Sequence, residues 1–191
     1  MDISSHEDGF SEMQAVKRRF FALRNGIISD TLRKGGSPFK IIFGLNLPQL
    51  KEIAEYTGKD AGLAEALWTN TTTRESMLLA PMIYPEEKFT AEMAREWLEA
   101  SPAAEVTDML CHALLRRRPF ASDLVYSITD DNTACPALIY GALRLMFNLL
   151  PTLDPEKARA VAMRFSDFDG DVAVKRLAMQ LIDELDFLSG N

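Results

Sequence analysis

Residues that begin and end helices recur regularly along this sequence, and this feature limits its possible folds most. Glycine, proline and capping residues recur along the chain. Between them lie segments of about ten to fifteen residues, a usual helix length in globular proteins. These segments are rich in Leu, Ala, Met, Glu, Lys and Arg, which favour helices, and alternating β-branched runs are almost missing. The sequence therefore predicts an all-α protein.

Several helix boundaries can be placed from local signals. Pro48 falls in the first turn of the segment LPQLKEIAEYTG, and Gly58 closes it. Thr90 is a predicted N-cap, Gly26 is predicted to stop the first helix, and Pro81 is predicted to kink or end its helix. The one candidate for an extended segment is FKIIFGL. We interpret it as a packed loop or a helix edge.

Many short helices joined by short linkers favour a stack of helix pairs. The spacing from one pair to the next is roughly 30 to 40 residues, which suits HEAT- or armadillo-type units. We therefore predict an α-α superhelix, a solenoid of antiparallel helix pairs. It is expected to form a single domain over residues 1–191, with the helices of 1–36 capping the stack and 37–191 forming HEAT-like pairs.

Composition limits the partners and the compartment. The chain has 21 Lys and Arg against 28 Asp and Glu, a formal net charge of -7, which opposes general nucleic-acid binding but allows a local basic stripe. Its two cysteines, Cys111 and Cys135, are too few for a disulfide framework and lack zinc-site spacing. The N-terminal segment MDISSHEDGF is acidic and polar, and no apolar run approaches 18 residues. We expect a cytoplasmic protein with no cofactor, no metal and no membrane partner.

The segment SPAAEVTDMLCHALLRRRPF, from Ser101 to Phe120, combines helix signals with side chains that can do chemistry. Ser101 is a predicted N-cap, and Pro102 suits the first helical position. On a helical wheel the apolar residues form one stripe, which must pack on neighbours: Val106, Met109, Leu110, Ala113 and Leu114. Asp108 lies nearly opposite this stripe. Its carboxylate is therefore expected to face solvent, a groove or a partner.

Three polar side chains on this helix need an interpretation: Glu105, Asp108 and His112. Carboxylates and imidazole at this spacing can share a helix face and hold a metal ion, but no further His or Cys at ligand spacing supports such a site. We expect instead a hydrogen bond between Asp108 and His112, which are four residues apart. No nucleophile elbow, phosphate-binding glycine loop or HExxH motif occurs in the sequence.

Basic residues at two places are candidates for phosphate contacts. The arginines Arg116 to Arg118 follow the helix that carries Asp108, where the helix dipole also favours cations. Lys175 and Arg176 lie on the outer faces of the last helix. The predicted buried stripe of that helix is Val174, Leu177, Ala178, Leu181, Ile182 and Leu185. Each basic group could contact phosphate or could be ordinary solvated surface, and the sequence leaves both open.

Four segments together resemble the AlkD-like DNA alkylation repair proteins. They are FGLNLPQLKEIAEY, LAEALWTNTTTRESMLLAPMIY, FTAEMAREWLEASPAAEVTDMLC and DVAVKRLAMQLIDEL. The resemblance covers roughly residues 43–185 and lies in the order and character of the segments. It implies a stack of HEAT-like repeats, double-stranded DNA as the partner, and a DNA glycosylase activity that removes N3- or N7-alkylated purines.

The resemblance also implies site residues. The stretch AAEVTD matches the family's signature, so Asp108 corresponds to the acid beside the scissile glycosidic bond and Glu105 to an earlier acidic position. Ala103 and Ala104 stand where the family carries groove aromatics. Under this interpretation the phosphate contacts are Arg116, Arg117, Arg118, Lys175 and Arg176.

Two functions remain open at this point. The first is a DNA alkylation repair protein that binds damaged duplex DNA and releases alkylated purines. The second is a catalytically inactive HEAT-like scaffold that binds a protein or peptide on its concave face. Asp108 and the order of the segments favour the first, whereas the two alanines and the acidic net charge favour the second.

Overall fold

Helices form nearly all the secondary structure in the computed structural model, which describes the backbone of residues 4–190 and the side chains of residues 12–190. The described residues contain eleven α-helices, three short 3₁₀ turns and no strand. One isolated bridge joins Ile41 to Thr73. The prediction of an all-α protein is confirmed, and the superhelix stays a prediction. None of the described helices is both long enough and apolar enough to cross a membrane.

The chain divides into two units, Met1–Phe89 and Thr90–Asn191. The predicted boundary at residue 36 falls inside the first unit, and residues 1–3 and 191 lie outside the described residues. The expectation of one domain with a cap over 1–36 stays a prediction.

The first unit contains five α-helices and one 3₁₀ turn. These are α1 (Ser4–Ala22), α2 (Gly26–Lys34), α3 (Leu47–Thr57), α4 (Ala61–Thr69), α5 (Arg74–Ile83) and the turn Glu86–Lys88. Helix α5 packs against α3 and α4, and α1 packs against the same two helices. Fully buried side chains in this core include Phe20, Leu50, Ile53, Leu67, Met77 and Leu79. The amphipathic patterns of α1, α3, α4 and α5 explain the arrangement, because their apolar residues are buried against neighbouring helices. Helix α2 differs, since Ser29 is its one buried residue and Ile27 is 81% exposed.

A buried glutamate holds the connection between α2 and α3. Glu75 is completely buried, and its Oε1 accepts the N–H of Gly44 at 2.9 Å and that of Leu45 at 3.3 Å. Its Oε2 accepts the N–H of Phe43 at 3.0 Å, and Arg74 Nη1 lies 3.0 Å from Oε1. The FKIIFGL segment is therefore a packed loop, as predicted. Three of its backbone donors bond to the Glu75 side chain, and the N–H of Ile41 donates to the Thr72 carbonyl at 2.9 Å in the isolated bridge.

Gly26 begins α2, so the prediction that it stops the first helix was wrong. Helix α1 already ends at Ala22. Asn25 is the N-cap of α2, and its side-chain oxygen accepts the N–H groups of Ile27 at 3.1 Å and Ile28 at 3.2 Å. The N–H of Asn25 donates to the carbonyl of Phe43 at 2.7 Å. The Asn25 cap is a local signal for this boundary, and the bond to Phe43 adds a tertiary contact to it.

Other local signals were confirmed. Pro48 lies in the first turn of α3, and Gly58 follows the helix with a positive φ of 76°. Thr90 caps the sixth helix by accepting the N–H of Met93 at 3.3 Å. Helix α5 ends at Ile83, two residues after Pro81, which agrees with the early end expected there.

The second unit contains six α-helices and two 3₁₀ turns. These are α6 (Ala91–Glu99), α7 (Ala104–Ala113), the turn Leu115–Arg117, α8 (Ala121–Thr129), α9 (Pro136–Leu149), the turn Leu150–Thr152, α10 (Pro155–Ser166) and α11 (Val172–Leu188). Helix α9, which is long and mostly apolar, is central in this unit, because it packs against α6, α7, α8 and α11. Helix α10 packs against α11.

Candidate functional site

Helix α7 begins at Ala104 with Ala103 as its N-cap, so the prediction that Ser101 caps it was wrong. The Ser101 hydroxyl donates to the carbonyl of Ala103 at 3.3 Å and accepts the Thr107 hydroxyl at 2.9 Å. Ser101 therefore stabilises the turn that precedes the helix, and Pro102 lies outside it. No side chain caps the first turn of α7, because alanine has no oxygen to offer.

The buried face of α7 is rotated relative to the predicted stripe. Val106, Leu110 and Leu114 are fully buried, as expected. Thr107 and Cys111 are also buried, whereas the predicted stripe members Met109 and Ala113 are only half-buried. This rotation moves the buried face toward the side that carries Asp108. Asp108 consequently lies at the edge of the packing and is half-buried, instead of pointing straight into solvent.

Asp108 is held by two side chains of α9. Its Oδ1 accepts the phenol of Tyr140 at 3.1 Å and lies 3.0 Å from Arg144 Nε. The Arg144 Nε–H makes no hydrogen bond, so this second contact is an ion pair without an aligned N–H. The side chains of Arg144 and Asp108 keep 30% and 35% of their accessible surface. Water therefore screens the pair only in part.

The sequence pattern did not indicate this cluster of Tyr140, Arg144 and Asp108. The structure gives Asp108 two partners on α9 in place of the expected bond with His112. Tyr140 and Arg144 are four residues apart, so they share one face of a helix that is otherwise largely apolar. Two polar side chains at this spacing on an apolar helix were the only feature of the sequence that could have indicated the cluster.

Burial and charge act in opposite directions on this cluster. Burial raises the pKa of Asp108, although the Arg144 charge and the Tyr140 hydrogen bond act to lower it. Burial, followed by the negative charge of Asp108, raises the pKa of Tyr140 and keeps its phenol a donor. Burial likewise raises the pKa of the Cys111 thiol, whose Sγ lies 3.6 Å from the Gly141 carbonyl oxygen. Cys111 is therefore a packing residue and not a nucleophile.

A groove of about 240 Å³ lies beside the cluster, where α7, α9 and α11 begin. Its lining residues are Ser101, Pro102, Ala103, Ala104, Thr107, Pro136, Ala137, Tyr140, Asp171 and Ala173. Tyr140 both lines this groove and bonds Asp108, so the groove and the carboxylate are adjacent. The small side chains of Ala103 and Ala104 leave the groove open. The positive ends of three helix dipoles face it, although Asp171 already caps α11.

The predicted phosphate contacts lie in two separate places. Arg116 and Arg117 are exposed in the 3₁₀ turn after α7, and half-buried Arg118 follows that turn. Lys175 and Arg176 lie near the start of α11, with Lys175 Nζ 3.8 Å from Asp167 Oδ1. Since α7 and α11 both begin at the groove, the arginines lie at the far end of α7. That helix has ten residues, which corresponds to about 15 Å.

Glu105, the other predicted acid, lies in the first turn of α7, one turn before Asp108. It is half-buried, and its charge contributes to the raised pKa of Asp108. Among the described residues, no group of three His, Cys, Asp or Glu side chains is arranged to hold a metal ion.

Comparison with known protein families, curated proteins and solved structures found no match to this chain.

Proposed function

We propose that this chain is a DNA alkylation repair protein of the AlkD-like kind, which binds damaged duplex DNA and releases N3- or N7-alkylated purines as a DNA glycosylase. One observation carries the proposal. Asp108, the acid that the resemblance assigns to catalysis, is fixed by Tyr140 and Arg144 beside an open groove.

The helix packing of the second unit supports the HEAT-like part of this proposal. Helices α7, α9 and α11 all begin at the groove, and α9 packs against both of the others. Helices α8 and α10 alternate with them in sequence, and each packs against the helix that follows it. This alternation is typical of stacked antiparallel helix pairs, in which every second helix lines one side.

A fixed carboxylate suits the chemistry of alkylpurine release. N3- and N7-alkylated purines carry positive charge, and breaking the glycosidic bond moves that charge toward the sugar. A negative group held in place beside the bond stabilises this charge without having to reorganise. Both contacts of Asp108 use Oδ1, so Oδ2 is the oxygen proposed to face the sugar. Partial burial strengthens the interaction, because fewer water molecules screen it.

Tyr140 and Arg144 are positioning residues in this proposal. They hold Asp108 through one oxygen, and the Arg144 charge favours its ionised form. Glu105 is the second acid, one turn closer to the groove end of α7. Arg116, Arg117, Arg118, Lys175 and Arg176 are the proposed phosphate contacts.

The alternative is a catalytically inactive scaffold for a protein or peptide. The Asp108–Arg144 ion pair favours it, because a paired carboxylate presents less net charge to a cationic base. Alanines at positions 103 and 104 also cannot stack on a base.

Base release from methylated duplex DNA separates the two functions. We expect the wild-type protein to release N3- or N7-methylpurines, and Asp108→Asn to lose about 10²- to 10³-fold in the single-turnover rate. Asp123→Asn, which changes an exposed carboxylate of α8, is the matched control and should keep the wild-type rate. DNA binding without base release would indicate a DNA-binding protein without glycosylase activity. Absence of both DNA binding and base release would favour the scaffold.

A further inference from the structure

Helix α11 carries an exposed stripe on the side opposite its buried one. The buried face consists of Val174, Leu177, Ala178, Leu181 and Leu185. The opposite face consists of Val172, Arg176, Met179, Asp183 and Phe187. We call these five residues the α11 stripe. Its three apolar members are 73%, 53% and 77% exposed at positions 172, 179 and 187.

The apolar members of the stripe are too regular to be scattered surface residues. Single exposed apolar side chains are normal, whereas an aligned set indicates a contact surface. Met163 of α10, the helix that packs beside α11, adds a further apolar side chain that is 60% exposed. Both helices of this pair therefore carry apolar side chains that the described part of the chain leaves in contact with water.

The order of residues along the stripe is self-complementary. Arg176 and Asp183 lie at equal distances from a centre between Met179 and Gln180, and Val172 and Phe187 lie at equal distances from the same centre. A second stripe turned end over end about this centre would meet the first with opposite charges paired and apolar residues paired. Arg176 and Asp183 are both exposed, so both are accessible for such a contact.

We infer that the α11 stripe is the interface of a symmetric homodimer, with the two α11 helices antiparallel across a twofold axis near Met179. In this arrangement Arg176 faces the partner's Asp183, and Val172 faces the partner's Phe187. A second copy of this chain fits the pattern because a twofold interface requires one surface to complement itself. The inference does not rest on the proposed glycosylase activity. In the dimer, however, Arg176 pairs with Asp183, and Lys175 is then the phosphate contact proposed for α11.

The expected interface is small. Helix α11 has 17 residues, so at 1.5 Å per residue it is about 25 Å long. One helix face of this length lies at the low end of the area that specific interfaces bury. The dimer should therefore dissociate on dilution.

Charge reversal tests the pairing directly. We expect sedimentation velocity to show the wild-type protein shifting from monomer to dimer over about two decades of micromolar concentration. Arg176→Asp or Asp183→Arg alone places like charges opposite each other at two symmetry-related positions. Each single variant should weaken association at least about tenfold. The double variant, Arg176→Asp with Asp183→Arg, again places opposite charges in contact, with the two signs exchanged. Its association constant should therefore return to within about threefold of the wild-type value.

The matched control is Lys157→Asp, which makes the same charge change on an exposed residue in the first turn of α10. It should dimerise like the wild type, and circular dichroism should show equal helicity for all variants. Three results would each overturn the inference: a monomeric wild type at every concentration, single variants that dimerise normally, or a double variant that stays monomeric. A control weakened as much as Arg176→Asp would also overturn it, because the effect would then be one of net charge.

Discussion

Glu75 and Asp108 are both carboxylates removed from water, but their surroundings assign them different tasks. Glu75 is completely buried and accepts three backbone N–H groups, so it holds a loop. Asp108 is half-buried, and its two contacts use one oxygen. The hydrogen-bonding capacity of Glu75 is filled by the fold, whereas Asp108, the proposed catalytic carboxylate, keeps capacity for a ligand on its second oxygen.

The role of Glu75 can be tested by truncation. Glu75→Ala leaves three backbone N–H donors without their acceptor and removes the carboxylate beside Arg74, so we expect the unfolding free energy to fall by about 3–5 kcal/mol. Glu52→Ala removes an exposed glutamate of α3 and is the matched control, with an expected change under about 0.5 kcal/mol. Urea unfolding of the wild type and the two variants measures both changes in the unfolding free energy. Equal stability of the two variants would show that the loop does not depend on this carboxylate.

Asp131 should make stability depend on pH in the acid range. Hydrogen bonds from the Thr133 hydroxyl and the Thr133 N–H, together with Arg95, lower the pKa of Asp131 to about 2. The unfolded value is about 3.9. Because the folded pKa is the lower one, the stabilisation is fully present above about pH 4 and is lost as the pH falls toward 2.

The expected measurement is therefore a difference in melting temperature between wild type and Asp131→Asn. It should be constant from about pH 7 to pH 5 and should shrink as the pH approaches 3. A difference that stays constant on acidification, or one that grows, would contradict the assignment.

At the scale of elements, the central position of α9 depends on close approach by α6. A Cβ on Gly141 would lie 2.7 Å from Leu98 Cδ2, and Leu98 is completely buried. Leu98 would have to move, so Gly141→Val should destabilise the protein by about 1–3 kcal/mol.

Gly62→Val is the matched control for Gly141→Val, because a Cβ there would meet only Asp60 Oδ1, at 3.5 Å. Urea unfolding should show a smaller loss for this variant, since Gly62 is exposed in the first turn of α4. If Gly62→Val cost as much as Gly141→Val, the loss would not come from the contact with Leu98.

Local signals predicted the elements well where the determining contact lies within one turn. Thr90 is an example, because its hydroxyl bonds a backbone N–H three residues later. Gly26 was misassigned although Asn25, one residue earlier, is a local N-cap signal. Ser101 was misassigned because its hydroxyl accepts a hydrogen bond from Thr107, six residues later, and caps no N–H of the first turn. Tyr140 and Arg144 were not predicted as partners of Asp108, because they lie on another helix. Their contact with Asp108 depends on how far α7 is rotated, which no periodicity in α7 specifies.

At the scale of the whole molecule, a net charge of -7 opposes DNA binding, because DNA is also negatively charged. Binding must then come from local cations, and each phosphate contact contributes about 0.9 to the slope of log affinity against log salt. Arg116→Gln with Arg117→Gln should reduce that slope by up to about 2. Lys51→Gln, on an exposed lysine of α3, should leave it unchanged. Fluorescence titrations of a duplex at several salt concentrations measure the slopes. Equal slopes for the wild type and the arginine variant would show that these arginines do not contact phosphate.

The central claim is that Asp108 is a catalytic carboxylate held beside a groove, and single-turnover release of N3- or N7-methylpurine from duplex DNA tests it most directly. Wild type and Asp123→Asn should release the base at equal rates, and Asp108→Asn should be slower by about 10²- to 10³-fold. Tyr140→Phe should be slowed less, because it removes one of the two contacts that position Asp108. Equal release by wild type and Asp108→Asn, or no release by the wild type, would contradict the claim.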